Sequence, residues 1–352
     1  MVRLALSITA ALLLSSFTFA AEETTTATAP AQSSVAAAMG EAAQRLLASL
    51  SDEEKAVATM KFDDPKRLDW HNIPKPERKG LQFKAMSPAQ KKLCLALIES
   101  ALSPAGYEKA QRIMSLENNL REGEKGLPNG QLRDPERYFL TIFGEPAQTG
   151  SWGWSFEGHH FSLNFTVRDG QVISATPSFW GACPATVRVY VEGGPEQGVR
   201  TLGEEEQIGL DLVASLDEIQ RREVVIADKA PAEYRAAGQP QPPHSAPEGV
   251  PASKMTDAQK KLLWTLLETY TGHLAPELAA AELTEVKEAG LNRIYFGWAG
   301  AQKAGEPHYF RIQGPTFVLE LINVQADPAG NIANHIHSVW RSLKGDFGVA
   351  AK

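Results

Sequence analysis

Histidine is concentrated in three short segments of this chain. Of the eight histidines, five lie in His159-His160, His308 and His335-Ile336-His337. A His-x-His pair on a strand places both imidazoles on one face of a sheet, which is the arrangement that a metal ion requires. Sets made only of imidazoles suit zinc, copper, nickel or iron rather than magnesium or calcium. We therefore interpret these segments as a candidate site for zinc or copper.

Three histidines from two of these segments are the expected ligands: His160, His335 and His337. Three more are candidates because they lie in the same segments or in a Pro-rich loop: His159, His308 and His71. The simpler alternative is that histidine pairs also occur often without a metal, and that a loop histidine is solvated. Neighbouring aromatic residues are typical of a core, although they would also suit a sugar or another small-molecule ligand.

Glutamates near the histidines are candidate catalytic groups. Glu157 and Glu320 are expected to act as general base or as carboxylate ligand, with a solvated or capping carboxylate as the preferred alternative for Glu320. An extended strand would separate His308 from Glu320 by about 40 Å at roughly 3.3 Å per residue, so only a corner at Gly314 would bring them together. Motifs of serine hydrolases, nucleotide-binding proteins and zincins are absent.

The elements that must position these residues occur twice. Met86-Ser-Pro-Ala-Gln-Lys-Lys-Leu93 returns as Met255-Thr-Asp-Ala-Gln-Lys-Lys-Leu262, and further matches follow in the same order. This order indicates an internal duplication, with repeats over about residues 41–200 and 206–345. In the alignment of the repeats, His159-His160 correspond to Pro315-Thr316, while His335 and His337 correspond to Ala175 and Pro177. Each repeat thus contributes one histidine motif, and we expect the site to lie between the two halves.

Each repeat is predicted to begin with helices and to continue with strands. Ser51 with Glu54 is a capping box, and Ser87-Pro88 is typical of a helix start. Phe161–Val167 alternates apolar and polar residues, which is typical of a half-buried strand, and Phe317–Val324 is its counterpart. The predicted fold class is α+β, in which each repeat has N-terminal helices that cover a small antiparallel β-meander. We place a corner at 158–160.

The N-terminus is typical of an exported protein. Arg3 precedes an apolar run over residues 4–14, and small residues at Thr18 and Ala20 suit cleavage after Ala20. We predict a signal peptide over residues 1–20, a disordered linker over 21–40 and a periplasmic or secreted location, with no membrane span once the signal is removed. A Pro-rich connector over residues 231–251 interrupts the second repeat.

The composition argues against some partners and leaves others open. With 43% hydrophobic and 22% charged residues, the chain is an ordinary globular protein. Its net charge of -7 and the lack of a basic stripe argue against nucleic acid and anionic membranes as partners. Cys94 and Cys183 either form one disulfide or remain buried thiols. The oligomeric state is left open.

Several strings in the chain resemble one protein family, the domain of unknown function 3500. They include Asp69-Trp-His71, Glu157-Gly-His-His160, Arg311-Ile-Gln-Gly-Pro315 and Asn334-His-Ile-His-Ser-Val-Trp-Arg341. The similarity runs from about residue 40 to 348 and departs from the family pattern at Cys183 and just beyond Gly348, where relatives tend to continue. The resemblance implies an exported or secreted protein and brings no activity with it.

Taken together, the residues predict an exported metal-dependent enzyme, with hydrolysis by a metal-activated water as the expected reaction. A copper-dependent oxidoreductase is the first alternative, because His-His with His-x-His also suits copper. A non-catalytic module that binds a metal or another ligand is the second. A small-molecule or saccharide-like partner is compatible with each of them, and the substrate is left open.

Overall fold

The structure is a computed structural model that describes residues 33–350. The predicted signal peptide lies outside the described residues. Its helices are α1 (Ser34–Ser49), α2 (Asp52–Ala58), α3 (Pro88–Ala101), α4 (Pro104–Gly123), α5 (Gly203–Ala214), α6 (Glu218–Val224), α7 (Asp257–Thr271) and α8 (Pro276–Gly290). Within residues 33–350, no helix combines the length and the apolar composition that a transmembrane span requires.

Thirteen strands form one mixed sheet within the described residues. They are β1 (Thr59–Met60), β2 (Leu81–Gln82), β3 (Phe139–Phe143), β4 (Ser151–Gly158), β5 (Phe161–Arg168), β6 (Gln171–Ser174), β7 (Ser178–Ala182), β8 (Val225–Ala227), β9 (Val250–Pro251), β10 (Tyr295–Gly300), β11 (His308–Gln313), β12 (Phe317–Asn323) and β13 (Ile336–Ser342). The order along the sheet is β1-β3-β4-β5-β7-β13-β12-β11-β10-β8. The mixed α+β class is therefore confirmed.

Helix starts follow the side chains that satisfy the first backbone N–H groups. Capping boxes lie at Ser51, Ser87, Asp217 and Thr256, each with a Glu or Gln three residues later that reaches back to the cap. Helix α1 already begins at Ser34, with Ser33 as its cap, and buries Met39. The predicted linker is therefore wrong from Ser34 onward, because the alanine-rich segment has an apolar face that packs on the core.

The two predicted meanders are not separate. Strand β7 pairs antiparallel with β13, which joins them edge to edge into one sheet. The register pairs Trp180 with Ser338 and Ser178 with Trp340 on either side of the central pair Phe179 and Val339. From α1 to β7 and from α5 to β13, the elements also follow the same order, apart from the additional hairpin strand β6.

Both faces of the central strands are buried. One face packs on the helices, and the other is covered by loops whose Trp70 and Tyr234 pack on Phe179. The polar side chains of Ser162 and Asn164 are consequently buried as well, so the prediction of a half-buried strand is wrong on this point. They alternate with apolar residues because their side chains face the loop-covered side of the sheet, where the protein interior is polar.

The cysteines are both buried and free. Burial raises the pKa of the Cys94 thiol, because a thiolate would be poorly solvated in the core. Cys94 lies on the buried side of α3, as expected for a cysteine that serves as a small apolar residue. Of the two alternatives, the structure therefore has the pair of buried thiols.

Candidate metal centre

His160 lies in the tight turn between β4 and β5, with a positive φ of 62°. Two backbone hydrogen bonds hold this turn: His160 donates to the Asn72 carbonyl at 3.0 Å and accepts from Gly181 at 2.7 Å. A Cβ on Gly181 would lie 3.0 Å from Cδ2 of His160. Glycine at position 181 therefore leaves the room that the imidazole occupies.

His335 and His337 lie where β13 begins. His337 pairs with Gly181 on β7 and Ile322 on β12, so its side chain lies on the loop-covered face. The backbone N–H of His335 donates to Oδ1 of Asn323 at 3.0 Å. Because β7 separates β13 from β5, the His160 turn and the start of β13 meet across the end of β7.

The three imidazoles converge through their Nε2 atoms. Nε2 of His160 lies 2.7 Å from Nε2 of His335 and 3.3 Å from Nε2 of His337. Each histidine offers a ligand atom within 4.8 Å of the others. Tetrahedral zinc with bonds of about 2.05 Å places its ligand atoms about 3.3 Å apart. The spacing of this histidine triad (His160, His335 and His337) therefore fits a metal ion after small ring movements.

Outer partners orient two rings of the triad. The carboxylate of Glu233 accepts from Nδ1 of His337, at 2.7 and 2.9 Å to its two oxygens, and His335 makes a hydrogen bond to the Ala326 backbone. Carboxylates and backbone carbonyls fix metal-binding histidines in this way in known sites. Nδ1 of His160 is buried and has no hydrogen-bond partner among residues 33–350.

Two imidazoles of the triad, those of His160 and His335, are held in the uncharged form. Burial lowers the pKa of His160 well below its usual value, and the charges of neighbouring histidines and Arg133 lower it further. Burial and His337 lower the pKa of His335 to about 3. Neutral imidazole is the form that coordinates a metal, so little proton competition is expected at these two ligands near neutral pH.

His159 belongs to an adjacent buried group. Its Nδ1 lies 2.5 Å from Oε1 of Glu117, its ring stacks on His160 with centroids 3.6 Å apart, and Arg133 contacts it at 2.9 Å. Burial raises the pKa of Glu117 to about 8. Together with His160, these two side chains form a second group with the composition and spacing of metal ligands.

The other candidate histidines lie elsewhere. His308 is on the helix-covered face, where its ring stacks on Trp298 and its Nε2 lies 3.3 Å from Glu206. Nδ1 of His71 accepts from the backbone N–H of Asn72 at 3.0 Å. The Asn72 carbonyl binds the His160 turn, so His71 is next in the chain to a residue that contacts the triad. The Nδ1 atom of His71, however, is engaged within its own loop.

The two candidate glutamates are engaged by other groups on the loop-covered face. Glu157 forms ion pairs with Lys79 and, at 3.8 Å, with Arg78. Glu320 accepts from the Tyr309 hydroxyl at 2.5 Å and from the Arg235 backbone at 3.1 Å, and burial raises its pKa.

Several residues at the centre were not predicted from the sequence. They contact the histidines from distant parts of the chain: Asn72, Glu117, Arg133, Glu233 and Asn323. Glu233 lies inside the Pro-rich connector, where composition predicts only an extended segment. Asn72 directly follows the candidate ligand His71, and this position is the only signal in the sequence that points to any of these five residues.

The structure is that of an α+β protein with one continuous sheet and a histidine triad where its central strands end. The chain belongs to the family described as protein of unknown function (DUF3500), whose profile matches residues 32–349. This match confirms the resemblance that the histidine-containing strings indicate. Comparisons with curated proteins and with solved structures give no match.

Proposed function

We propose that this chain is an exported metal-dependent enzyme whose histidine triad holds one zinc or copper ion. The observation that carries the proposal is the convergence of three Nε2 atoms, with spacings of 2.7 and 3.3 Å from His160. Three imidazoles pointing at one spot have few structural uses, because at most two of them can share a direct hydrogen bond at a time.

The surroundings support a site that works by binding a metal. Glu233 on His337 is the carboxylate–histidine arrangement that sets the tautomer and keeps Nε2 free for the ion. Nδ1 of His337 carries the proton that this carboxylate accepts. The triad also joins side chains from two distant segments, so the ion would be held by the completed fold.

A donor set of three imidazoles favours hydrolytic chemistry first. Catalytic zinc sites commonly use three protein ligands and leave the fourth position to water or substrate, and His335 is only partly buried. When bound there, zinc supplies Lewis-acid activation of water. Glu157 and Glu320 remain the proposed acid/base groups, although the ion pairs of Glu157 must loosen before it can accept a proton.

A copper-dependent oxidoreductase is the second candidate. It is favoured by the all-nitrogen donor set and by the stacking of His159 on His160, which adds a fourth imidazole beside the triad. The proposal includes export through the N-terminal apolar run. It also includes an internal duplication, which is supported by the repeated order of helices and strands.

Elemental analysis of protein purified without a histidine tag tests the proposal. We expect about one zinc or copper ion per chain in the wild type and in His244→Ala, which changes an exposed histidine, and a large loss in His335→Ala. Zinc favours the hydrolase and copper the oxidoreductase. Wild-type protein that takes up neither metal after reconstitution would contradict the proposal and favour the non-catalytic module.

A further inference from the structure

A cleft of about 270 Å³ lies between α8 and the strands at the other end of the sheet. Thr316, Phe317 and Trp340 form part of its wall. A smaller cavity of about 20 Å³ shares Trp340 and Glu282 with it and reaches His273. The two cavities therefore adjoin each other, and the inner one is lined by a buried histidine that is not part of the triad.

We infer that this cleft binds a monosaccharide-sized compound that carries an ammonium group. The volume is slightly below the roughly 300–1,000 Å³ of pockets for drug-sized ligands, which favours a small ligand. Trp340 stacks on Phe317, with ring centroids 4.7 Å apart, and gives the wall an apolar part. Hydroxyl groups of Thr316 and Ser342 line the same space.

The charged groups of the cleft favour a cation. Glu282 and Glu285 both line it, while its single lysine, Lys344, lies 3.2 Å from Glu285. One carboxyl group thus lacks a cationic partner in the cleft wall, although Glu282 accepts a hydrogen bond from the Trp340 indole. Burial raises the pKa of Glu282 to about 7, and a ligand ammonium beside it would supply the missing cation and favour the ionised carboxylate.

An unpaired ring nitrogen at the inner end also indicates a ligand with hydroxyl groups. His273 is 4% exposed, and its Nε2 lies 2.9 Å from the Glu205 carboxylate and 2.8 Å from the Lys109 ammonium. The other ring nitrogen, Nδ1, is buried without a hydrogen-bond partner among the described residues. Buried polar atoms are rarely left without a partner, so a ligand hydroxyl, which can donate or accept, fits this end.

Three probes that share one sugar ring test the inference by ligand-observed NMR titration: glucosamine, glucose and N-acetylglucosamine. We expect glucosamine to bind at least about tenfold more tightly than the two uncharged probes, because a charge-assisted hydrogen bond is worth roughly 1.5–3 kcal/mol. Glu282→Gln should reduce glucosamine binding about tenfold, while Glu288→Gln, an exposed change on the same helix, should leave it unaltered.

Equal affinities for the three probes, or no binding of glucosamine at tens of millimolar, would overturn the inference. Equal losses in Glu282→Gln and Glu288→Gln would do so as well, since they would indicate attraction by overall charge. The His335→Ala variant should bind glucosamine as the wild type does, which separates this site from the proposed metal enzyme.

Discussion

The two opposite ends of the central strands have a similar backbone arrangement and differ in their side chains. His160 directly precedes β5 at one end, and Thr316 directly precedes β12 at the other. In the sequence alignment of the two halves, His335 likewise corresponds to Ala175. One end therefore concentrates imidazoles in one group, while the other has Thr316 and Ala175 at the corresponding positions and an open cleft. The comparison indicates that the backbone fixes the positions of the side chains, and that a few residue types decide which ligand can bind there.

Strands β7 and β13, which pair at the centre of the sheet, differ in the same way. Gly181 on β7 leaves space for the His160 ring, whereas the position on β13 that corresponds to it in the sequence alignment of the two halves is Arg341. Arg341 is buried and bonds Asp346 at 2.5 Å. One position thus makes room for a ligand-binding side chain, and the related one fills its space with a buried ion pair.

The largest expected effect is the loss of metal binding in His337→Ala. Removing one ligand of the triad should weaken the metal affinity by more than the roughly 10–100-fold that loss of an outer partner costs. Thr316→Ala, which changes the residue aligned with His160 in the predicted repeats, should bind metal as the wild type does. Competition titration with a chromophoric chelator measures both. Similar losses in the two variants would remove the distinction between the ends.

The next effect concerns Glu205, which holds His273 at the cleft end. Burial opposes its ionisation, but His273 and Lys109 outweigh burial and lower the pKa of Glu205 to about 2, from a usual 4.5. The ionised carboxylate should therefore stabilise the fold by about 3 kcal/mol at neutral pH. Because the folded pKa is the lower one, this contribution is complete above about pH 4.5 and is lost as the pH falls towards 2.

Urea denaturation of Glu205→Gln tests this. We expect the variant to be less stable than the wild type at pH 7, and the difference to shrink as the pH is lowered below 4.5. Glu204→Gln, at the exposed neighbouring position, is the matched control and should unfold as the wild type does. A difference that stays constant with pH would contradict the assigned pKa.

A smaller effect is expected for Glu233→Gln at the histidine end. The amide keeps an acceptor for Nδ1 of His337 and removes the charge, so the metal affinity should fall about 10–100-fold without loss of the fold. Glu248→Gln, in the same connector, should keep the affinity because Glu248 pairs with Arg235. The chelator titration measures both, and an unchanged affinity in Glu233→Gln would show that the carboxylate does not tune the site.

The smallest effect is expected for Gly181→Ala. The added methyl group would meet His160 at 3.0 Å and the Ile336 carbonyl at 3.1 Å, which should cost about 1–2 kcal/mol of stability. Gly40→Ala is the control, since the nearest atom there is 3.8 Å away and alanine favours a helix. Thermal unfolding of both variants checks the expectation, and an unaltered midpoint for Gly181→Ala would mean that the ring has spare room.

The sequence predicts the helices and the triad residues better than it predicts their surroundings. Caps such as Ser87 and Thr256 act within one turn of helix, so local sequence is sufficient to locate them. His335 and His337 are two residues apart, and in any strand this spacing places both side chains on the same face. The strands of the two predicted repeats are joined by the structure in one sheet.

Other features depend on contacts that no local pattern reveals. His308 has the same residue type and strand context as His337, but the register places it on the opposite face. Ser162 alternates as an exposed residue would, although a distant loop covers it. Glu233 and Asn72 reach the histidines from irregular segments, for which sequence periodicity carries no information.

The wide separation of the triad residues along the chain has a consequence for folding. His160 and His335 are 175 residues apart, so their meeting closes a long loop and needs β7 and β13 already paired. Partly synthesised or clipped chains, and chains with only one half folded, lack the complete set of imidazoles. Uptake of an ion would therefore report that tertiary assembly is finished.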